Sequence, residues 1–146
     1  MSAEGRAPLV FSEAVIGDMD SVADLDLWRA RGAAVLPIAE QDTTDLEKCL
    51  YATEAPGYVG VGFTGRRFDH TLAALHALLR WPDKRVVLIG EDDLVFLAPP
   101  LWRAELEQGA RVSFYPLRPC RGVASRGLRW PIADLPFEAG SRIGTS

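Results

Sequence analysis

Cysteine is scarce in this sequence: there are two, Cys49 and Cys120. They lie far apart, with no zinc-like spacing and no disulfide framework around them, so both are expected as reduced thiols. No apolar run approaches the length of a membrane span, and residues 1–6 lack the charged-then-apolar layout of a signal peptide. The cytoplasm is therefore the expected compartment, with no membrane partner. Positive charge is not in excess either. The formal net charge is −4, which argues against nucleic acid or an anionic membrane as the main partner. Internal repeats, low-complexity tracts and a side-chain nucleophile–base pair are also missing.

What is present is an ordinary globular composition, 48% hydrophobic and 25% charged over 146 residues. That suffices for a real core and for one domain, or one plus part of another. The acid excess suits a metal site. Two acidic stretches stand out: Gly17-Asp18-Met19-Asp20-Ser21, and Gln41-Asp42-Thr43-Thr44-Asp45-Leu46-Glu47-Lys48. Each follows a segment that reads as a buried strand, where uncompensated carboxylates repel one another and resist desolvation. A hard cation such as Mg²⁺, which takes one or two carboxylates plus substrate phosphates, would resolve that conflict.

In chain order, residues 1–8 read as a loose lead-in. A strand is expected over 9–16, most clearly at 14–16, and Gly17 ends it. Ser21 can cap a helix over 22–31 with Leu25 and Trp28 inward and Gly32 as a stop. A strand over 33–38 leads into a loop, and Thr44 with Glu47 has the spacing of a capping box. Asp45 then falls in the first helical turn, with Lys48 one turn along the same face. A strand at 58–63, a helix at 69–80 built on Leu72, Leu75 and Leu79, and a strand at 85–90 complete an alternation that predicts a parallel sheet. After Gly90, short apolar runs at 94–97, 101–106, 111–117, 122–132 and 135–137 predict an antiparallel β module.

Several residues read two ways. Asp18 and Asp20 form an ion site or a solvated turn; Asp45 and Lys48 are site residues or a first-turn charge and its exposed partner. The Thr64-Gly65-Arg66-Arg67 loop can offer backbone N–H groups and a guanidinium to phosphate. Asp69 caps its helix or serves a site, and His70 steadies that helix. His76 reads as structural or surface. Trp130 is a core aromatic or a stacking plate for a flat heterocycle. Trp28, Trp81 and Trp102 are assigned to packing, and Cys49 to a small apolar helix position.

Together with Gly65-Arg66-Arg67-Phe68-Asp69-His70, Gly127-Leu128-Arg129-Trp130-Pro131 and Gly144-Thr145-Ser146, the two acidic stretches resemble the thiamine pyrophosphokinase family over about residues 13–146. The resemblance implies an α/β fold, a parallel α/β catalytic domain followed by a smaller antiparallel, sandwich-like β domain. The expected division is 1–95 for nucleotide and metal and 96–146 for thiamine. It further implies transfer of a diphosphoryl group from ATP to the hydroxyethyl oxygen of thiamine, with release of AMP. Asp18, Asp20 and Asp45 would be catalytic and would hold Mg²⁺. Gln41, Thr44, Lys48, Arg67 and Asp69 would serve the nucleotide, and Trp130, Thr145 and Ser146 would serve thiamine. Family members are homodimers with active sites between subunits.

Three features depart from the family pattern. An Asp-Gly-Gly-Ala stretch expected before Asp18 does not occur, the chain stops at Ser146 where the family continues, and Arg66 stands where small residues are usual. Both domains are accordingly expected to be incomplete, the first at its N-terminus and the second at its C-terminus. Two rival readings are a pyrophosphokinase for another hydroxymethyl heterocycle, such as a pterin, and a non-catalytic nucleotide- or thiamine-binding remnant.

Overall fold

Parallel pairing begins where the β-branched residues do. In the computed structural model, which describes residues 13–20, 24–65 and 67–145, β1 (Ala14–Gly17) pairs in parallel with β2 (Ala34–Pro37), Ile16 opposite Leu36. The N–H of Ile38 donates to the Gly17 carbonyl at 2.7 Å and carries the pairing past Pro37, which has no N–H to give. The first part of the strand expected over 9–16 and the Ser21 cap lie outside the described residues. The intervening helix is shorter than expected. It is α1 (Leu25–Ala30), begun by Asp24, whose carboxylate accepts the Leu27 N–H at 3.1 Å. None of its residues is buried, so Leu25 and Trp28 do not anchor it in the core.

The second ladder has the order β3 (Tyr58–Val61), β4 (Val86–Ile89), β5 (Leu94–Phe96). β3 and β4 are parallel; β5 runs antiparallel along the other edge of β4. A central strand flanked on both sides explains the continuous Val-Val-Leu-Ile run of β4. β5 corrects the assignment of 94–97 to the following module. The Gly90 N–H donates to the Asp93 carbonyl at 2.9 Å, a turn tight enough to fold the chain straight back onto β4.

Against this ladder pack α2 (Asp45–Ala52) and α3 (Phe68–Arg80). The core is Leu46 and Leu50 of α2, Ala74, Ala77 and Leu78 of α3, and Val86 and Leu88 of β4. Of the expected Leu72–Leu75–Leu79 stripe of α3, Leu75 packs against this core as a partly buried neighbour, whereas Leu72 is half exposed and two alanines with Leu78 fill the centre. Methyl-sized side chains let the helix backbone approach its neighbours closely, a gain that hydrophobicity alone does not signal.

The chain divides into two compact units, Met1–Leu97 and Ala98–Ser146. In the second, β6 (Cys120–Arg121) pairs antiparallel with β7 (Pro136–Phe137), with single bridges between Phe114 and Gly144 and between Glu138 and Arg142. The order expected from sequence, α/β followed by small antiparallel β, is the order observed. The ladders are shorter than the apolar runs suggested, because Pro116 and Pro131 fall inside those runs and cannot donate to a ladder. At Gly122 a Cβ would collide with the Ile132 carbonyl oxygen, so only glycine lets these two backbones meet. Trp81 packs on the core of the first unit as expected. Trp102 does not bury itself; it is 40% exposed in a unit whose buried hydrophobic side chain, among the described residues, is Phe137. No helix among the described residues is long and apolar enough to cross a membrane.

Candidate functional site

The start of α2 is built by a local rule visible in the sequence. Thr44 takes extended backbone angles, its hydroxyl accepts the Glu47 N–H at 3.4 Å, and the Glu47 carboxylate accepts the Thr44 N–H at 3.1 Å. This fixes the first turn, so Asp45 and Lys48 point together into a cleft of about 370 Å³. Its lining comes from the C-terminal ends of three strands: Asp18 after β1, Gln41, Thr43, Thr44 and Asp45 after β2, and Gly62 and Phe63 after β3. Asp69 and His70 of the first turn of α3 close it. Strand ends of this kind are where open α/β sheets bind ligands.

Within the cleft, Asp18 accepts the Asp20 N–H at 3.1 Å and the Gln41 amide at 3.3 Å. Those two donors, together with the charge of Lys48, hold its carboxyl below the usual aspartate range. Met19 between the two aspartates sits at φ 68, the left-handed region that a tight turn demands. A Cβ at Gly17 would lie 3.4 Å from an Asp45 carboxylate oxygen, which places the end of β1 beside the start of α2. Lys48 is 2% exposed, and its ammonium makes no hydrogen bond or ion pair among the described residues.

The expected site residues thus divide. Asp18, Gln41, Thr44, Asp45, Lys48 and Asp69 share one cleft. Asp20 does not line it and contributes its N–H instead. Arg67 lines a neighbouring cleft of about 600 Å³ between the ends of β3 and β4, and His70 lines both. Asp69 is not the helix cap: it is the second residue of α3, held by the Arg67 guanidinium through two contacts, which lowers its pKa and raises that of Arg67. Among the described residues, no three His, Cys, Asp or Glu side chains are grouped closely enough to hold an ion. The two carboxylates of the cleft, Asp18 and Asp45, nevertheless match the small protein share that Mg²⁺ takes when phosphate oxygens and water complete its shell.

In the second unit Trp130 is 70% exposed, with the Arg129 guanidinium 5.2 Å from its ring centre. Thr145 is exposed; Ser146 lies outside the described residues. His76 is exposed. Both cysteines are free thiols, and burial, then Asp45, raises the pKa of Cys49.

Glu40 has no counterpart among the expected site residues. It accepts the Asp42 N–H at 2.8 Å, the Thr43 N–H at 3.0 Å, the Thr43 hydroxyl, and the Tyr51 hydroxyl at 3.0 Å. The Thr43 hydroxyl first, then Tyr51 and the two N–H groups, bring its pKa from 4.5 down to about 2. A carboxylate whose folded pKa is depressed stabilises the fold above its unfolded pKa and loses that contribution as pH falls through the folded value. The urea midpoint should therefore decline as pH is lowered from about 4.5 to about 2, and Glu40→Gln should flatten that decline. Superimposable profiles for the two proteins would show that Glu40 is not the source.

Fold and cleft define a class: an α/β protein with acids and a buried lysine at the C-terminal ends of its parallel strands. Residues 7–89 match the family description "Thiamin pyrophosphokinase, catalytic domain", and residues 103–146 match "Thiamin pyrophosphokinase, vitamin B1 binding domain". The chain belongs to the thiamin pyrophosphokinase family. It is 32% identical over 152 residues to thiamine pyrophosphokinase 1 of Arabidopsis thaliana, covering 92% of this chain and 57% of that protein. For thiamin pyrophosphokinase 1 of Caenorhabditis elegans the identity is 29%, over 90% of this chain and 60% of the relative. The chain thus spans somewhat over half the length of these relatives. The crystal structure of a thiamin pyrophosphokinase from Geobacillus thermodenitrificans shares its fold, with a TM-score of 0.56 at 22% identity, over 87% of this chain and 63% of that one.

Proposed function

We propose that this chain transfers a diphosphoryl group from Mg-ATP to thiamine, giving thiamine diphosphate and AMP. The observation that carries this reading is Lys48, a lysine only 2% exposed that lines the same cleft as Asp18 and Asp45. A cation and two carboxylates gathered in one cleft suit a ligand that carries both charges, and a metal-bound polyphosphate does. Asp18 and Asp45 would hold Mg²⁺, which neutralises phosphate charge when bound. Gln41 and Thr44 orient the phosphates, Lys48 stabilises the charge that develops on them, and Arg67 and Asp69 serve the nucleotide side.

The thiamine hydroxyl oxygen attacks the β-phosphorus in line. A new P–O bond forms there, the bond from the β-phosphorus to the oxygen bridging to the α-phosphate breaks, and AMP departs with that oxygen. The hydroxyl proton passes to a cleft carboxylate, directly or through water. Trp130 offers an open aromatic face to the pyrimidine ring, and Thr145 and Ser146 serve the same substrate. The match of residues 103–146 to a vitamin B1 binding description supports thiamine over a pterin as acceptor. The enzyme works in the cytoplasm as a homodimer, its active site between the first unit of one subunit and the second unit of the other.

The test is AMP release from Mg-ATP with and without thiamine, at a concentration that favours dimers. Thiamine-dependent AMP, lost in a folded Asp45→Asn variant, is the expected result. A folded dimer that binds Mg-ATP but releases no AMP would leave the non-catalytic reading standing.

A further inference from the structure

We propose that Glu40 is a positioning residue for this cleft: its carboxylate holds the 41–44 loop in the shape that presents Gln41, Thr44 and Asp45 to the phosphates. Nothing in the chemistry above uses Glu40, yet it gathers four donors, two from the loop backbone, one from the Thr43 side chain and one from Tyr51 at the far end of α2. A half-buried acid that collects this many donors is not a solvated loop charge. The span between Ile38 and Asp45 is thereby pinned at two points. Glu40 closes the loop from the β2 side, and the Thr44–Glu47 capping box closes it from the helix side.

Between the two pins, Gln41 reaches across to the turn after β1, donating to Asp18 at 3.3 Å. The clamp therefore sets the distance between the two carboxylate-bearing edges of the cleft, Asp18 on one and Asp45 on the other. Glu40 itself does not line the cleft, so it acts through its neighbours. Groups that hold ligating or catalytic side chains from behind typically matter 10–100-fold. The Tyr51 contact adds a direction: the clamp joins the loop to the body of α2, so the loop and Lys48 keep their spacing when a ligand arrives.

The inference rests on the phosphate-cleft reading above, and its test separates the two. Amide hydrogen exchange over residues 40–45, the dissociation constant for Mg-ATP, and kcat and KM for each substrate are measured on the full chain, for wild type, Glu40→Ala, Glu40→Gln and Tyr51→Phe. In Glu40→Ala, exchange at Asp42 and Thr43 should rise. The Mg-ATP dissociation constant and KM should increase about 10-fold or more, while KM for thiamine stays put. Glu40→Gln, which keeps an acceptor oxygen, should recover part of the loss, and Tyr51→Phe should show a weaker version of it. A purely structural role would lower the thermal midpoint and leave the Mg-ATP constants of the folded fraction unchanged. That pattern, or unchanged exchange at residues 42 and 43, overturns the proposal. If wild type binds Mg-ATP without turnover, the activity reading fails alone and the dissociation constants still decide the role of Glu40. If wild type does not bind Mg-ATP at all, both readings fall.

Discussion

Replacing Lys48 by methionine should cut diphosphoryl transfer by roughly 10²–10³ while leaving stability nearly unchanged. The side chain is 2% exposed, and no carboxylate bonds its ammonium among the described residues. An unbranched apolar chain of similar length fills the same volume and spares the cost of desolvating a charge, but it also removes the cation that helps keep Asp18 ionised. The two effects oppose, so Lys48→Met should shift the urea-derived stability by less than about 1 kcal/mol. Turnover should respond far more. A preorganised cation facing developing phosphate charge is worth roughly 10²–10³ in kcat, so kcat should fall by that factor. A urea melt and an AMP assay on one sample check both halves. A variant that is less stable and fully active would mean that the lysine serves the fold and not the phosphates.

The second large effect belongs to Glu47, which is almost fully buried at one residue's distance from Lys48. One of its oxygens accepts the Thr44 N–H and hydroxyl at 3.1 and 3.2 Å; the other accepts the Arg80 guanidinium at 3.0 Å. Glu47→Ala removes half of the capping box, opens a cavity beside Leu46 and Leu50, and frees Arg80. A lost cap costs about 1 kcal/mol, and breaking a buried charged hydrogen bond a further ~1.5–3 kcal/mol. Arg80 is about half exposed and can rehydrate, so the total should lie near ~2–4 kcal/mol rather than their upper sum. Glu47→Gln, which keeps the shape and an acceptor for the cap, should cost about half as much. Chemical denaturation of the three proteins measures this. Equal stability of Glu47→Ala and wild type would show that the capping box contributes little to α2.

The parts of the fold and site that were legible in the sequence are those governed by short spacings. Thr44 and Glu47 stand three apart, and the reciprocal hydrogen bonds follow. Asp18 and the 41–45 segment end successive strands, and the cleft gathers them. Interactions that depend on long-range packing were not legible. Leu75 packs on the core as its helical spacing suggests, but the spacing of Ala74, Ala77 and Leu78 is equally helical, and only the closeness of the opposing helix and strand puts those three at its centre. Glu40 meets Tyr51 across most of α2, and Glu47 meets Arg80 across β3 and the length of α3; neither pair carries a local signature. In the second unit, strand-like composition overstated strand length because it does not count the N–H groups that proline lacks.

The Glu47–Arg80 contact also bears on how the cleft can close. It ties α2 to the last turn of α3, and a helix of this length transmits a restraint at one end to the other. Asp45 and Lys48 on one helix, and Asp69 and His70 at the start of the other, therefore form a single stiff jaw. The opposing edge, the turn from Gly17 to Asp20, is tied to this jaw through the Gln41–Asp18 hydrogen bond. That turn carries Asp18 and already holds Met19 in an uncommon backbone state.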